Sequence, residues 1–215
     1  MAAPESQKPR WRGVLHNWAA WWALGAGSVL VAFAPSARAG AAAAVYALSL
    51  VALFAISAIY HRIDWSERAR ARMRRLDHAS IFLLIAGTYT PVAVLGLPGD
   101  DGRRLLIAIW AGAAVGIVQS IFWVGAPKAV AAIIAVAVGW TIVPYLGAAG
   151  PLLTRHLGLI VAGGIAYTAG AIVYAAKRPN PHPRIFGYHE VFHALTVAGA
   201  VLHFVAVAQM VRSIG

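Results

Sequence analysis

Seven long apolar segments constrain this chain more than any other feature of its sequence. A helix that crosses the hydrocarbon core of a bilayer needs about 20 mainly apolar residues. The segments that meet this requirement, within a few residues at each end, are 18–34, 41–60, 79–97, 105–124, 129–146, 156–176 and 188–211. Because backbone that faces lipid must form its own hydrogen bonds, the sequence predicts an all-α integral membrane protein, a bundle of seven transmembrane helices.

The composition supports this class and excludes others. Of the 215 residues, 60% are hydrophobic and only 12% are charged, whereas an ordinary soluble domain carries about 25% charged residues. A disordered chain and a water-soluble enzyme are therefore excluded. The chain has no cysteine, so a metal site would use histidine, carboxylate and water. We expect one membrane domain, 18–211, after a cytoplasmic N-terminal segment, 1–17.

The positions of the basic residues predict the orientation. Lys and Arg number 18 against 7 Asp and Glu, and cytoplasmic segments of membrane proteins carry the excess of Lys and Arg. With a cytoplasmic N-terminus and an outside C-terminus, 13 of the 18 would face the cytoplasm. We therefore expect that orientation in the cytoplasmic membrane. The net charge of +11 then reflects topology, and we expect no nucleic-acid partner.

Two local patterns have a simple interpretation. The Arg-rich run 68–75 is expected to lie along anionic headgroups, with Asp64 as a helix N-cap and Glu67 as the capping-box acid. The start of the chain also fits a signal peptide, with an A-x-A cleavage site at 37–39. Cleavage there would leave six spans without inverting the other loops.

Polar residues at the ends of three spans are the candidate functional residues. Ionisable side chains in or near lipid are costly, so each is a functional hypothesis. Ser57 and His61 end the second span, Asp77 precedes the third, and His189 and His193 begin the seventh. In a seven-span topology these ends all lie on the cytoplasmic side, at one depth. Both pairs have i, i+4 spacing, which places their members on one helix face.

Three imidazoles meeting there indicate a metal site. Three neutral histidines and a water are typical of catalytic zinc, so we predict a Zn²⁺ held by His61, His189 and His193. A zinc-bound water has a pKa near 7 and supplies hydroxide at neutral pH. Asp77 would orient that water or take its proton, and Ser57 would form a supporting hydrogen bond.

The remaining histidines are assigned other contacts. His203 lies ten residues after His193, about 15 Å deeper along a helix, and is expected to form an interhelical hydrogen bond. Contacts with headgroups or loop carbonyls are expected for the others, His16, His78, His156 and His182.

An alternative interpretation concerns Glu190. The string 189–193 satisfies H-E-x-x-H, in which the glutamate would be the general base of a metalloprotease. No third ligand follows on a nearby downstream helix. Glu190 would otherwise face the basic cytoplasmic loops.

Several motifs together carry a family resemblance. They are SAIYH at 57–61, LDHASIFLLIAGTYTP at 76–91, RPNP at 178–181, FGYHEVFH at 186–193 and LHF at 202–204. In these motifs the chain resembles bacterial hemolysin III-type members of the progestin and adipoQ receptor family, kin to the adiponectin receptors. The opening at 13–17 matches the usual family opening only loosely, so the resemblance assigns no residue of the first span to the site.

The resemblance implies a fold and a site. It implies seven helices, a cytoplasmic N-terminus and a zinc near the cytoplasmic side. The ligands would be His61, His189 and His193, with Asp77 reaching the metal through water and Ser57 beside them. The Glu between the paired histidines is not part of the family pattern, which argues against a protease.

The resemblance leaves the activity open between two classes. Members related to ceramidases imply a zinc-dependent hydrolase that cleaves an amide in a membrane lipid. The alternative is a non-enzymatic membrane sensor, channel or lytic protein in which the zinc is structural. A membrane lipid is the expected substrate or ligand in the first class, and the sequence does not identify it or the oligomeric state.

Overall fold

Seven α-helices make up most of the computed structural model, which describes residues 8–214. They are α1 (Val14–Ala32), α2 (Ala37–Arg62), α3 (Glu67–Gly96), α4 (Gly99–Phe122), α5 (Lys128–Gly139), α6 (Pro151–Ala176) and α7 (Tyr188–Arg212), with a 3₁₀ helix at Val143–Ala148. The predicted fold class is confirmed. Residues 1–7 of the predicted segment 1–17 lie outside the described residues.

Six of these helices are long and apolar enough to cross a membrane, with the fifth counted through the 3₁₀ helix to Ala148. The remaining helix, α1, is not among these six, and it contains His16, Asn17 and three tryptophans. The chain is therefore a multi-pass membrane protein, which in a bacterium places it in the cell membrane.

Five helices, α1, α2, α3, α4 and α6, begin four to twelve residues earlier than predicted. α1 starts at Val14, inside the segment expected to precede the first span. The Arg-rich run 68–75 forms the first turns of α3, which is 30 residues long. The predicted cap at Asp64 is wrong, because the N-cap of α3 is Ser66. Asp64 instead forms an exposed ion pair with Lys8, at 3.1 Å.

The fifth helix ends earlier than predicted, at Gly139. Pro144 explains this end. A proline ring clashes with the carbonyl of the residue four positions before it, here Trp140, and disfavours α-helix in the preceding residue. The chain therefore passes through a turn and continues as a 3₁₀ helix with Pro144 in its first turn.

The last helix closes the bundle. Consecutive helices pack on each other along the chain, and α7 also contacts α1, α2 and α3. One apolar core lies mainly between α1, α2 and α7, around Tyr46, Leu50 and Val207. A second apolar core lies between α3, α4, α5 and α6 and includes Met210 of α7. Gly87 allows a close approach, since a Cβ there would lie 2.0 Å from Ser49 Oγ, as is usual where helices pack in lipid.

One end of the bundle collects most of the positive charge. At this end the start of α3 meets the end of α4, where Arg75 Nε donates to Ile121 O at 2.9 Å. The starts of α5 and α7 also meet there, where Lys128 Nζ donates to the Tyr188 hydroxyl at 2.6 Å. We call this the basic end. It is the end that the charge count predicts to be cytoplasmic.

Candidate metal centre

Three histidines meet at the basic end. His61 lies in the last turn of α2, and His189 and His193 lie one turn apart at the start of α7. The Nε2 atoms of His61 and His189 are 3.2 Å apart. One ring nitrogen from each of the three histidines lies within 4.8 Å of the others. The structure thus brings together the three residues that the sequence predicts as metal ligands.

The spacing of these nitrogens fits a small tetrahedral ion. Zinc binds imidazole nitrogen at about 2.0–2.1 Å, so two ligands of a tetrahedral site lie about 3.3 Å apart. The 3.2 Å between His61 and His189 matches one edge of such a tetrahedron. Three nitrogen ligands and no thiolate are also a donor set that zinc accepts in catalytic sites.

The predicted acid lies beside this cluster. Asp77 is in the third turn of α3, and its Oδ2 is 4.0 Å from His61 Nε2. This distance is too long for a direct hydrogen bond. Asp77 and Ser57 both line the same cavity as His189 and His193. A carboxylate at that distance is placed to accept a proton from a water at the cluster.

His16 is the residue that sequence reasoning missed. The expectation that it contacts headgroups or loop carbonyls is wrong, because its side chain is buried inside the bundle. A hydrogen bond of 2.8 Å joins its Nδ1 to Ser57 Oγ. Its ring stacks on that of His193, with centroids 3.7 Å apart and planes 10° from parallel. His16 therefore fixes the ring plane of a candidate ligand, and Ser57 fixes His16.

Glu190, between the paired histidines, has a different role from the one H-E-x-x-H indicates. Its side chain is fully buried, and Oε1 accepts from Arg12 Nε at 2.5 Å. Its Oε2 accepts from the backbone N–H of Gly187 at 2.8 Å, which stabilises the start of α7. Glu190 is thus occupied by structural contacts and faces a basic residue of the N-terminal segment.

The N-terminal segment closes this end of the bundle. Backbone N–H groups of Arg10 and Trp11 donate to the carbonyls of Arg184 and Ile185, each at 3.1 Å. Gly13 has a φ of 77°, a conformation that glycine adopts without strain. A Cβ at Gly13 would also lie 2.9 Å from His61 Cβ. Only a glycine lets the segment turn into α1 this close to the histidine cluster.

A long cavity leads from the histidine cluster into the bundle. The space inside it that the centre of a water molecule can occupy is about 150 Å³. Apolar side chains such as Ile85 and Phe192 form most of its wall. At one end it is lined by His189 and His193 of the cluster and by Asp77, and the wall extends to Tyr167 and His203. The cavity is therefore polar at the basic end and apolar over much of its length.

The other histidines fall into different environments. The predicted interhelical hydrogen bond of His203 is confirmed, since its Nε2 donates to Ile160 O of α6 at 2.9 Å. His156 is buried, so the headgroup or loop contact expected for it is wrong. His78 lines the cavity beside Asp77, and His182 is exposed in the α6–α7 loop.

The comparisons with a family profile and with known proteins both give haemolysin III proteins. A family profile described as Haemolysin-III related matches residues 5–204. The chain is 32% identical to "Hemolysin-3" of Bacillus cereus, over 80% of this chain and 76% of that protein. It is 30% identical to "Hemolysin-3 homolog" of Bacillus subtilis (strain 168), over 76% of this chain and 74% of that protein.

A shorter stretch of the chain is similar to a plant protein whose name refers to the adiponectin receptors. The chain is 45% identical to "Heptahelical transmembrane protein ADIPOR2" of Oryza sativa subsp. japonica over 56 residues, 24% of each chain. The motifs at 57–61, 76–91 and 186–193 lie within the residues matched by the family profile. On the extent of that match, this chain belongs to the haemolysin III-related family, within the progestin and adipoQ receptor proteins.

Proposed function

We propose that this protein is a zinc-dependent hydrolase that cleaves an amide bond of a membrane lipid. The observation that carries the proposal is the three-histidine cluster, of which His189 and His193 line, with Asp77, the polar end of a long apolar cavity. His61, His189 and His193 would hold the zinc. When bound, the ion supplies Lewis acidity and makes a water acidic enough to ionise at neutral pH.

The side chains around the histidines supply the proton transfers. Asp77, 4.0 Å from His61, would take the proton of the attacking water and return it to the leaving amine. His16 and Ser57 would hold His193 in its orientation through the stacked ring and the 2.8 Å hydrogen bond. A fixed ligand orientation keeps the site ready for substrate.

The cavity fits the apolar part of a lipid. Its wall is mainly apolar, as in most ligand pockets, and suits the hydrocarbon of an acyl chain. An acyl chain along the apolar wall would place the adjoining carbonyl near the histidine cluster. The same wall excludes bulk water, which strengthens electrostatic interactions at the reacting carbonyl.

Metal analysis of purified protein tests the zinc site. We expect about one zinc for each chain of detergent-purified wild type, as one three-histidine site requires. His61→Ala and His193→Ala should lose most of it. His182→Ala is the matched control, because this exposed histidine lies away from the cluster, and it should keep the wild-type content. Equal zinc in all four proteins would contradict the site.

Asp77→Asn tests the hydrolase. Removing a positioned general base costs about 10²–10⁴ in rate. We therefore expect this variant to keep its zinc while release of fatty acid from amide-linked lipids falls at least a hundredfold, with lipid products measured by mass spectrometry. Wild-type turnover in the Asp77→Asn variant would contradict the assignment of Asp77 as the general base.

A structural zinc is the second candidate, and one distance favours it. His61 of α2 lies 3.2 Å from His189 of α7, so an ion there would also link two helices that are far apart in sequence. In that case His61→Ala would lower the melting temperature and the zinc content, and wild-type protein would release no fatty acid from any lipid offered. That result would favour a sensor, channel or lytic protein over a hydrolase.

A further inference from the structure

A second pair of polar side chains lies deep in the same cavity. Tyr167 of α6 and His203 of α7 both line it, and their ring centroids are 5.4 Å apart. His203 is ten residues beyond His193, so it lies about 15 Å farther along α7. The pair is therefore separated from the histidine cluster and lies within the membrane-spanning part of the bundle.

Each member of this pair has a buried polar atom that is unpaired. Neither the Tyr167 hydroxyl nor His203 Nδ1 has a hydrogen-bond partner among residues 8–214. The carbonyl of Ile160 can only accept, so His203 Nε2, 2.9 Å away, carries the ring proton. In the neutral ring Nδ1 is then an acceptor. Buried polar atoms are nearly always paired, so an unpaired donor and acceptor call for an explanation.

Close packing keeps these two rings in place. A Cβ at Gly163 would lie 2.2 Å from His203 Cδ2, and one at Gly199 would lie 3.0 Å from the Tyr167 ring. Each ring is thus pressed against the backbone of the neighbouring helix. The unpaired atoms cannot turn away to find other partners without moving a helix.

The surroundings of the pair favour an uncharged ligand group. Within residues 8–214, Asp77 is the only carboxylate on the cavity wall, and no Lys or Arg lines it. Asp77 lies at the basic end, beside the histidine cluster. A charge held at Tyr167 and His203 would be buried in the membrane without a counter-ion, which is costly.

We propose that Tyr167 and His203 form a subsite for a hydroxyl group carried on the chain of a bound lipid. A hydroxyl donates one hydrogen bond and accepts others, so a single group would donate to His203 Nδ1 and accept from the Tyr167 hydroxyl. The inference rests on the proposed function in one respect, because both require a lipid chain in the cavity. It then narrows the substrate class to lipids hydroxylated partway along the chain.

Two fatty acids that differ by one hydroxyl test the subsite. Ricinoleic acid is oleic acid with a hydroxyl near the middle of the chain. The affinity of each unlabelled fatty acid is measured by its competition with tritium-labelled oleic acid for binding to purified protein in nanodiscs. Because a net hydrogen bond contributes about 0.5–1.5 kcal/mol, we expect ricinoleic acid to bind about fivefold more tightly than oleic acid.

Two tyrosine variants separate the subsite from the cavity as a whole. Tyr167→Phe removes a hydroxyl that has no partner in the free protein, so it should keep the melting temperature and abolish the preference for ricinoleic acid. Tyr89→Phe is the matched control. The Tyr89 hydroxyl lines the same cavity but already donates to Gly139 O at 2.5 Å. This variant should lower the melting temperature and keep the preference.

The outcomes distinguish the subsite from the proposed function. If oleic acid binds and ricinoleic acid binds no better, the subsite is overturned and the lipid cavity stands. The subsite is also overturned if Tyr167→Phe keeps the preference for ricinoleic acid. If neither fatty acid competes for the cavity, the lipid substrate of the proposed function fails together with the subsite.

Discussion

At the scale of single residues, His16 shows how the candidate site depends on residues that are not candidate ligands themselves. Its Nδ1 bonds to Ser57, and its ring covers His193 at 3.7 Å. Its Nε2 is buried without a hydrogen-bond partner in the described part of the chain. A buried imidazole with one unpaired nitrogen is costly, which agrees with a role at the site rather than in packing alone.

The first prediction follows from this stacking. Contacts that orient a metal ligand are worth about 10–100-fold in metal affinity. We therefore expect His16→Ala to weaken zinc binding by about that factor, measured by competition with a chelator on purified protein. His156→Ala is the control, since it also removes a buried histidine but one outside the cavity wall. Unchanged affinity in His16→Ala would show that the stacked ring does not orient His193.

At the scale of elements, the start of α7 is the critical segment because it carries two of the three candidate ligands. Glu190 stabilises it from within, through Arg12 of the N-terminal segment and the backbone of Gly187. A second ion pair, between Lys8 and Asp64, joins the same segment to the α2–α3 loop, but it is exposed. The two ion pairs therefore differ mainly in burial.

The second prediction compares these two ion pairs. Losing one partner of a buried pair costs about 3–5 kcal/mol, and we expect the lower part of this range because Arg12 is 22% exposed. Glu190→Ala should therefore lower the melting temperature clearly and reduce zinc retention. Asp64→Ala should change neither, because an exposed pair contributes little. Similar melting temperatures for the two variants would contradict the role of Glu190.

At the scale of the whole molecule, the distribution of charge predicts the orientation in the membrane. The basic end carries 13 of the 18 Lys and Arg residues, and it is also the end where the histidine cluster lies. The positive-inside rule therefore predicts that the cluster faces the cytoplasm. Any zinc bound there would come from the cytoplasmic side.

The third prediction uses the absence of cysteine from the sequence. A single cysteine placed at an exposed arginine can be labelled in intact cells with a maleimide that does not cross membranes. Arg103→Cys, at the end opposite the basic end, should react directly. Arg70→Cys, in the first turns of α3, should react only after permeabilisation. The reverse pattern would place the N-terminus outside and overturn the predicted orientation.

The number of helices, and the last residue of six of them to within two positions, follow from the sequence, because each span must be apolar over a length that the bilayer sets. The ends depend on local chemistry, and here prediction was less accurate. Pro144 ends α5 before the apolar run does. The Arg-rich run 68–75 adds turns at the start of α3, before its apolar stretch, where hydropathy does not predict the helix bound.

The sequence by itself determined which helix ends lie together, and hence that His61, His189 and His193 share one depth. That follows because spans of equal length alternate in direction. Only the tertiary structure decided how the helices rotate about their axes. Rotation brings His16 onto His193 and directs Glu190 toward Arg12. It also leaves the Tyr167 hydroxyl and His203 Nδ1 without a partner among residues 8–214. These contacts depend on packing between residues far apart in sequence, and no local spacing encodes them.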